Sequence, residues 1–352
     1  MITHTKPRIA IAGAGYIGQA HLRVIQASPH AHLCAIVDPS QSAQPIAQAA
    51  GVPLYPSIEA LLETDRPDGL ILATPNQLHV RQALQCIAAG LPVLLEKPVA
   101  TTIEEGRHLL NAVEARNAKV LVGHHRAHSP IMAKAKQIIA SGQLGRLVAI
   151  MGGALFYKPD HYYTDAPWRR EPGAGPILLN MIHEVHNLRM LCGDITAVQA
   201  FSSNAVRGFA VEDTVSIIFK FSNGALGTFM LSDTAAAAHS WELTARENTA
   251  YPSYDDEDCY IISGTNGTLS VPTMRMKTYP TPEDRSWWKE FEVGQAGLVR
   301  DDPLKHQIEH FIKIIQGDTQ PLVSVRDGLL NLQITEAIAQ AAKTGKIVNI
   351  EF

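Results

Sequence analysis

Hydrophobic residues follow two different patterns along this chain. From residue 8 to about 123, short unbroken apolar runs alternate with amphipathic stretches of helical period, which predicts strands near 8–12, 32–37, 69–73, 92–95 and 119–122 and helices near 16–27, 41–50, 57–63, 77–89 and 102–116. Strands apolar on both faces, separated by helices, imply a doubly wound parallel sheet of the α/β class. Beyond Gly123 a helix is predicted at 130–141 and a strand at 146–155, followed by a glycine-rich loop at 171–176 that leads into a helix ending at Leu191. Period-two alternations at 196–206, 211–220 and 225–231 then predict a C-terminal α+β domain with an open, largely antiparallel mixed sheet. The stretch 233–258 has no periodicity and is expected to be a long surface loop. Two amphipathic helices, about 303–316 and 326–344, and a short strand from Ile347 to Ile350 complete the pattern. The domains are thus 1–123 and 124–352, with the C-terminal helices able to pack back on the first.

Composition narrows the function classes. With 352 residues, 46% hydrophobic content and a net charge of −4, the chain can bury a large core divided between two domains. It has no basic stripe for a nucleic acid and no apolar run of the ~20 residues a membrane helix needs. The opening residues lead directly into the first strand rather than into a signal-peptide pattern, and Cys34, Cys86, Cys192 and Cys259 show no C-x-x-C spacing. These features predict reduced structural thiols and a cytoplasmic protein.

The chemistry begins at Gly13-Ala-Gly15-Tyr16-Ile17-Gly18, directly after the first strand and directly before the first helix. In that context the pattern predicts a dinucleotide site: Gly13 for a tight turn, Gly15 for close approach of backbone N–H groups to a pyrophosphate, and Gly18 for close helix–strand packing. A glycine-rich turn that merely packs is the alternative. Asp38, 25 positions after Gly13, ends the second strand where a carboxylate would bond the adenine ribose hydroxyls. Such a carboxylate repels a 2′-phosphate, and Pro39-Ser40-Gln41 supplies no arginine, so NAD is expected in preference to NADP. The alternative is that Asp38 only caps the next helix.

Three further motifs follow in order: Ala73-Thr74-Pro75-Asn76 with His79, then Glu96-Lys97-Pro98, then Gly173-Ala-Gly175 running to Asn180 and His183. Together with the fingerprint they make the chain resemble the glucose-fructose oxidoreductase, inositol dehydrogenase and MocA family over nearly its whole length. The resemblance implies a Rossmann domain joined to an open-faced sheet domain, with the nicotinamide cofactor between them. It places Tyr16, Ile17, Thr74, Asn76, His79, Glu96, Lys97 and Arg126 among the cofactor-binding residues and implies a cis peptide before Pro98. It also makes Lys97 and His183 the catalytic pair. An ammonium can stabilise an alkoxide as hydride leaves its carbon, and an imidazole can exchange the hydroxyl proton. The chain departs from the family pattern at Leu179, where many members carry Asp, and at His186, another frequent Asp position; Asn180 is the nearest polar substitute. Ala127 replaces a second arginine often found beside Arg126.

Substrate recognition is expected from Asn180, His183 and Lys97 and from the aromatic and basic stretch containing Tyr157, Trp168, Arg169 and Arg170, whose rings can stack on a sugar or cyclohexane ring. Either arginine could hold a carboxylate or simply pair with Glu171 at the surface. No metal is expected, because the histidines at 124, 125, 128, 183 and 186 follow no metal-ligand spacing. The reading is an NAD(P)-dependent oxidoreductase acting on a secondary alcohol of a cyclic polyol or sugar. The alternatives are a dehydrogenase of a carboxylated ring dihydrodiol and, from another class, a non-catalytic NAD(P)-binding sensor. A homodimer or homotetramer is expected, through the alternating apolar residues of Val211 to Phe219 and Ala225 to Leu231.

Overall fold

The computed structural model describes residues 6–351, which form two compact units, one sheet in each. The first unit runs to His128 and takes in Pro303–Leu332 from late in the chain. Its strands are β1 (Arg8–Ala12), β2 (His32–Val37), β3 (Leu54–Tyr55), β4 (Gly69–Leu72), β5 (Val93–Glu96) and β6 (Val120–Gly123). All are parallel, in the order β3-β2-β1-β4-β5-β6, which is the Rossmann order. Strands β4, β5 and β6 are buried at every residue, because helices cover both sheet faces; Glu96 at the end of β5 is the one charged side chain among them. The strand order reverses between β1 and β4, so the loops after them share one sheet edge, where open α/β folds bind ligands. The helix Pro303–Gln316 belongs to this unit, and its Phe311 and Ile315 fill the space that a side chain at Gly69 would need.

The second unit comprises Ser129–Asp302 and the chain from Gln333. Its strands are β7 (Leu147–Leu155), β8 (Ile195–Ser203), β9 (Thr214–Phe221), β10 (Leu226–Ser232), β11 (Tyr260–Gly264), β12 (Gly267–Val271), β13 (Arg275–Thr278), β14 (Glu292–Gln295) and β15 (Val348–Asn349). They form one sheet in the order β14-β13-β12-β11-β7-β10-β9-β8-β15, antiparallel throughout except for the parallel pair β7 and β10. Strands β11 to β14 lie in a stretch for which the hydrophobic pattern predicts no element; each is only four or five residues long, and β14 is exposed at every position. The expected loop at 233–258 contains the short helix Trp241–Thr244, whose Trp241 is buried in the core.

Alternation along β9 and β10 is as regular as expected, but the association surface assigned to it needs correction. Val211, Val215, Ile217, Phe219, Ala225, Phe229 and Leu231 are all buried. The face left open carries the intervening residues, among them Met151, Ile218, Leu226, Met230 and Ile261. Period-two strands expose one face and bury the other, and the more continuous apolar set goes inward.

Candidate active site

In the first unit the glycine loop is shaped by contacts that allow no side chain. Gly13 has φ +95°, and a Cβ there would lie 2.4 Å from the Ala73 carbonyl oxygen; a Cβ at Gly18 would lie 1.9 Å from the Gly13 oxygen. These two approaches lock the β1 turn, the β4 loop and the helix Tyr16–Ala27 together. Gly15 is different: nothing lies within 4 Å of a Cβ built on it, and as N-cap it provides no side-chain hydrogen bond to the helix. The chain is therefore open at Gly15, and the first turn, uncapped by a side chain and at the positive end of the helix dipole, is suited to a pyrophosphate. Tyr16 is exposed and Ile17 half-buried in the same turn.

Asp38 accepts from the Ala14 N–H through Oδ2 and from the Ser40 N–H through Oδ1, each at 2.8 Å. Two backbone donors hold the carboxylate in one orientation, and each oxygen keeps a lone pair for a ribose hydroxyl. The cap of the following helical turn is Ser40, whose side chain accepts from Ser42 N.

At the next strand end, Thr74 donates to Gln82 Oε1 at 2.6 Å, while Asn76 is exposed. His79 is buried, with its ring nitrogens 2.9 Å from the Thr74 carbonyl oxygen and 2.7 Å from that of Pro98, so the imidazole spans the loops after β4 and β5. Burial lowers its pKa despite these two carbonyls. Glu96, the last residue of β5, is buried against His21 Nε2 at 2.8 Å. Burial pushes its carboxyl up, but the hydrogen bond and charge of His21, with His125 and Lys97, outweigh this and hold it below the ordinary glutamate range. Lys97 follows at the carboxyl edge of the sheet, and its peptide bond to Pro98 is cis. Desolvation lowers the Lys97 pKa, Arg126 acts in the same sense, and Glu96 opposes them. Arg126 itself is buried.

In the second unit Asn180 and His183 lie across a change of helical form. Ile177–Met181 is a π-helical turn, and Ile182–Cys192 continues as α-helix. The start of the π turn is fixed by Glu212, whose Oε1 accepts from the Ile177 N–H at 2.9 Å. Its carboxylate occupies the space beside Gly175, where a Cβ would lie 2.3 Å from Oε1. We therefore expect Gly175→Ala to displace Glu212 and cost about 1–3 kcal/mol, as overpacking and loss of a buried hydrogen bond do. Denaturant unfolding measures this, and an unchanged midpoint would contradict it. The buried face of the α-helix is anchored to β11 by Tyr260, whose hydroxyl donates to Glu184 Oε2 and accepts from Asn187 Nδ2 at 2.9 Å. His186 is buried on this helix, whereas His183 is half-buried.

Around the end of β7 the structure adds residues that the motifs do not single out. Lys158 Nζ donates to Asn180 Oδ1 at 2.8 Å and lies 3.4 Å from Asp233 Oδ2. Asp233 also accepts from the Tyr163 hydroxyl at 2.5 Å and from Arg207 Nε at 3.3 Å. Arg169 stacks on the Tyr162 ring, 3.8 Å from its centroid, and donates to the Tyr162 carbonyl; Arg170 lies over Phe209 at 5.1 Å. Among the described residues neither arginine forms an ion pair with Glu171. Tyr157 and Trp168 are both 56% exposed, open to a ligand ring. The described residues contain no group of three or more histidine, cysteine or acidic side chains placed to hold a metal ion.

Two family models account for most of this architecture. Residues 7–124 match the model described as an oxidoreductase family with an NAD-binding Rossmann fold, and residues 132–270 match the GFO/IDH/MocA C-terminal domain. The chain belongs to the Gfo/Idh/MocA oxidoreductase family. Among its relatives, the 1,5-anhydro-D-fructose reductase of Ensifer adhaerens is 29% identical over 302 residues, covering 84% of this chain and 83% of that one. The rhizopine catabolism protein MocA of Rhizobium meliloti is 28% identical over 344 residues, covering 96% and 95%. The fold is shared with the WlbA dehydrogenase from Bordetella pertussis, solved in complex with NADH and UDP-GlcNAcA, at TM-score 0.77 and 24% identity over 99% of this chain and 100% of that one. Glycine loop, fixed Asp38 and open first turn all fit the NAD that this family binds. No described helix of this oxidoreductase is long and apolar enough to cross a membrane.

Proposed function

We propose that this oxidoreductase transfers hydride between NAD and a secondary alcohol of a cyclic polyol or sugar, with Lys97 and His183 as its catalytic residues. The observation that carries the proposal is the place of Lys97: it directly follows Glu96 at the carboxyl end of β5, half-buried at the sheet edge, and its partial burial draws its pKa below the ordinary lysine value. In the oxidising direction, His183 accepts the hydroxyl proton, and Lys97 stabilises the negative charge that develops on the oxygen. NAD, when bound, would supply the acceptor for the hydride that leaves the carbinol carbon. Gly15, Tyr16, Ile17 and Gly18 would hold the pyrophosphate and Asp38 the ribose, while His79 and Glu96 keep the Thr74, Lys97 and Pro98 backbone in place. The names of relatives support the substrate class, because they include a scyllo-inositol 2-dehydrogenase from Bacillus subtilis and a D-apiose dehydrogenase from Paraburkholderia graminis.

A carboxylated ring is the second reading, favoured by Arg169, whose Nε is buried without a hydrogen-bond partner. A panel of inositols, sugars, sugar acids and carboxylated ring diols, followed through the near-ultraviolet absorbance of NADH, decides between them. Turnover of neutral rings supports the main reading, turnover of carboxylated rings alone supports the second, and NAD binding without turnover of any would make the protein a sensor.

We also infer a cytoplasmic protein from its four buried thiols, and a homodimer or homotetramer formed through the open sheet face. Ile218→Glu combined with Met230→Glu should shift the sedimentation of the wild-type oligomer to that of a monomer. Unaltered sedimentation would place the interface elsewhere.

A further inference from the structure

The side chain of Lys158 is only 12% exposed, and its backbone is held on both sides: the N–H donates to the Asp233 carbonyl, and the carbonyl accepts from Arg207 at 2.7 Å. The ammonium lies 5.0 Å from the Tyr162 ring centroid and 5.5 Å from that of Phe156. Immobilising so flexible a side chain costs up to ~2 kcal/mol of rotamer entropy. Asp233 alone does not account for its direction, because Nζ is closer to Asn180 Oδ1 than to the carboxylate.

An ammonium can only donate, so the Asn180 atom that meets Lys158 has to be the amide oxygen. We propose that Lys158 is a positioning residue for the reaction: it fixes the Asn180 amide so that Nδ2 meets the substrate, and the substrate group seated there is a hydrogen-bond acceptor. The inference rests on the reading of the Asn180 and His183 segment as substrate-facing. Aspartate in this place could only accept, and would select a hydroxyl able to donate. With its oxygen engaged by Lys158, Asn180 selects a ring ether, a carbonyl, a carboxylate or a hydroxyl acting as acceptor.

The test uses the full chain with NAD and whichever polyol or sugar gives the highest kcat/KM in the panel. Lys158→Met, similar in length but without donors, should raise KM about tenfold, the scale of one hydrogen bond to a charged group, and leave NAD affinity unchanged. Lys158→Arg should restore most of the loss. Because Lys158 acts through Asn180, the double variant with Asn180→Ala should be no worse than Asn180→Ala alone; multiplying effects would overturn the proposal. Asn180→Asp keeps the shape and removes the donor, so it should lose as much activity as Asn180→Ala, and wild-type turnover in it would also overturn the proposal.

A readout independent of substrate is the side-chain amide signal of Asn180 in nitrogen-labelled protein. It should shift in Lys158→Met, and an unchanged signal would show that the lysine does not orient the amide. A shift in a protein that turns over no polyol or sugar would defeat the substrate reading and leave the orientation standing.

Discussion

Lys97→Ala and His183→Ala should each lower kcat by at least ~10²-fold, the lower range for acid–base and electrostatic groups, while NAD affinity stays within about twofold of wild type. Neither side chain belongs to the glycine loop or to Asp38, so the pyrophosphate and adenine-ribose contacts survive in both variants, even though Lys97 is also expected beside the cofactor. A loss in kcat and kcat/KM together would mark an interaction made in the transition state, whereas a change in KM alone would mark uniform binding. The pH profile separates the two residues further. Lys97 has to be protonated to stabilise an alkoxide, and desolvation lowers its pKa from the ordinary lysine value of 10.5. The contribution of Lys97 to activity is therefore complete below the lowered pKa and is lost as pH rises through it. Lys97→Arg, whose guanidinium stays charged throughout, should lose that alkaline fall whatever its absolute rate. An alkaline fall kept unchanged in Lys97→Arg would assign the titration to another group.

Discrimination against NADP is the second large effect. Asp38 cannot swing away from a 2′-phosphate without giving up the Ala14 and Ser40 N–H groups. Like charges held together cost several kcal/mol, which corresponds to on the order of 10²-fold tighter binding of NAD at ~1.4 kcal/mol per tenfold. Asp38→Asn removes the charge and keeps an acceptor for Ala14, so it should narrow the ratio by about tenfold or more, mainly by improving NADP binding. Titration of both cofactors against both proteins measures it. Tighter NADP binding by the wild type would remove Asp38 from cofactor selection.

The parts of this fold readable from sequence are those governed by local pattern. Strands β4, β5 and β6 announce themselves because every residue is buried, and the predicted helix at 16–27 coincides with Tyr16–Ala27. Gly13 and Gly18 are readable as a unit because the constraint on each arises within the strand–turn–helix that holds both, or at the adjacent strand end. Strands β11 to β14 are not, since runs of only four or five residues are too short for an alternation to stand out from its surroundings. β9 and β10 show a further limit: the face left open also carries Ile218, Leu226 and Met230, so the alternation does not reveal that apolar residues remain on the exposed face.

The contact between Lys158 and Asn180 is also out of reach of spacing arguments. It depends on the parallel pairing of β7 with β10, which brings the chain after Leu155 alongside Asp233. Glu212 is hidden for the same reason. It lies just before β9, and only the folded sheet places it against Gly175 and Ile177. Lys158 falls within the aromatic and basic stretch expected to bind substrate, but nothing in that stretch distinguishes it from its neighbours, and Glu212 lies in no motif.

The most direct measurement of the central claim follows the hydrogen itself. A cyclic polyol or sugar carrying deuterium at its oxidised carbinol carbon is incubated with NAD and the enzyme, and the reduced cofactor is examined by mass spectrometry. Direct transfer between carbon and nicotinamide predicts that the deuterium is found in the reduced cofactor and that Lys97→Ala and His183→Ala form that product far more slowly. Deuterium released to water, or no reduced cofactor with any substrate of the panel, would contradict it.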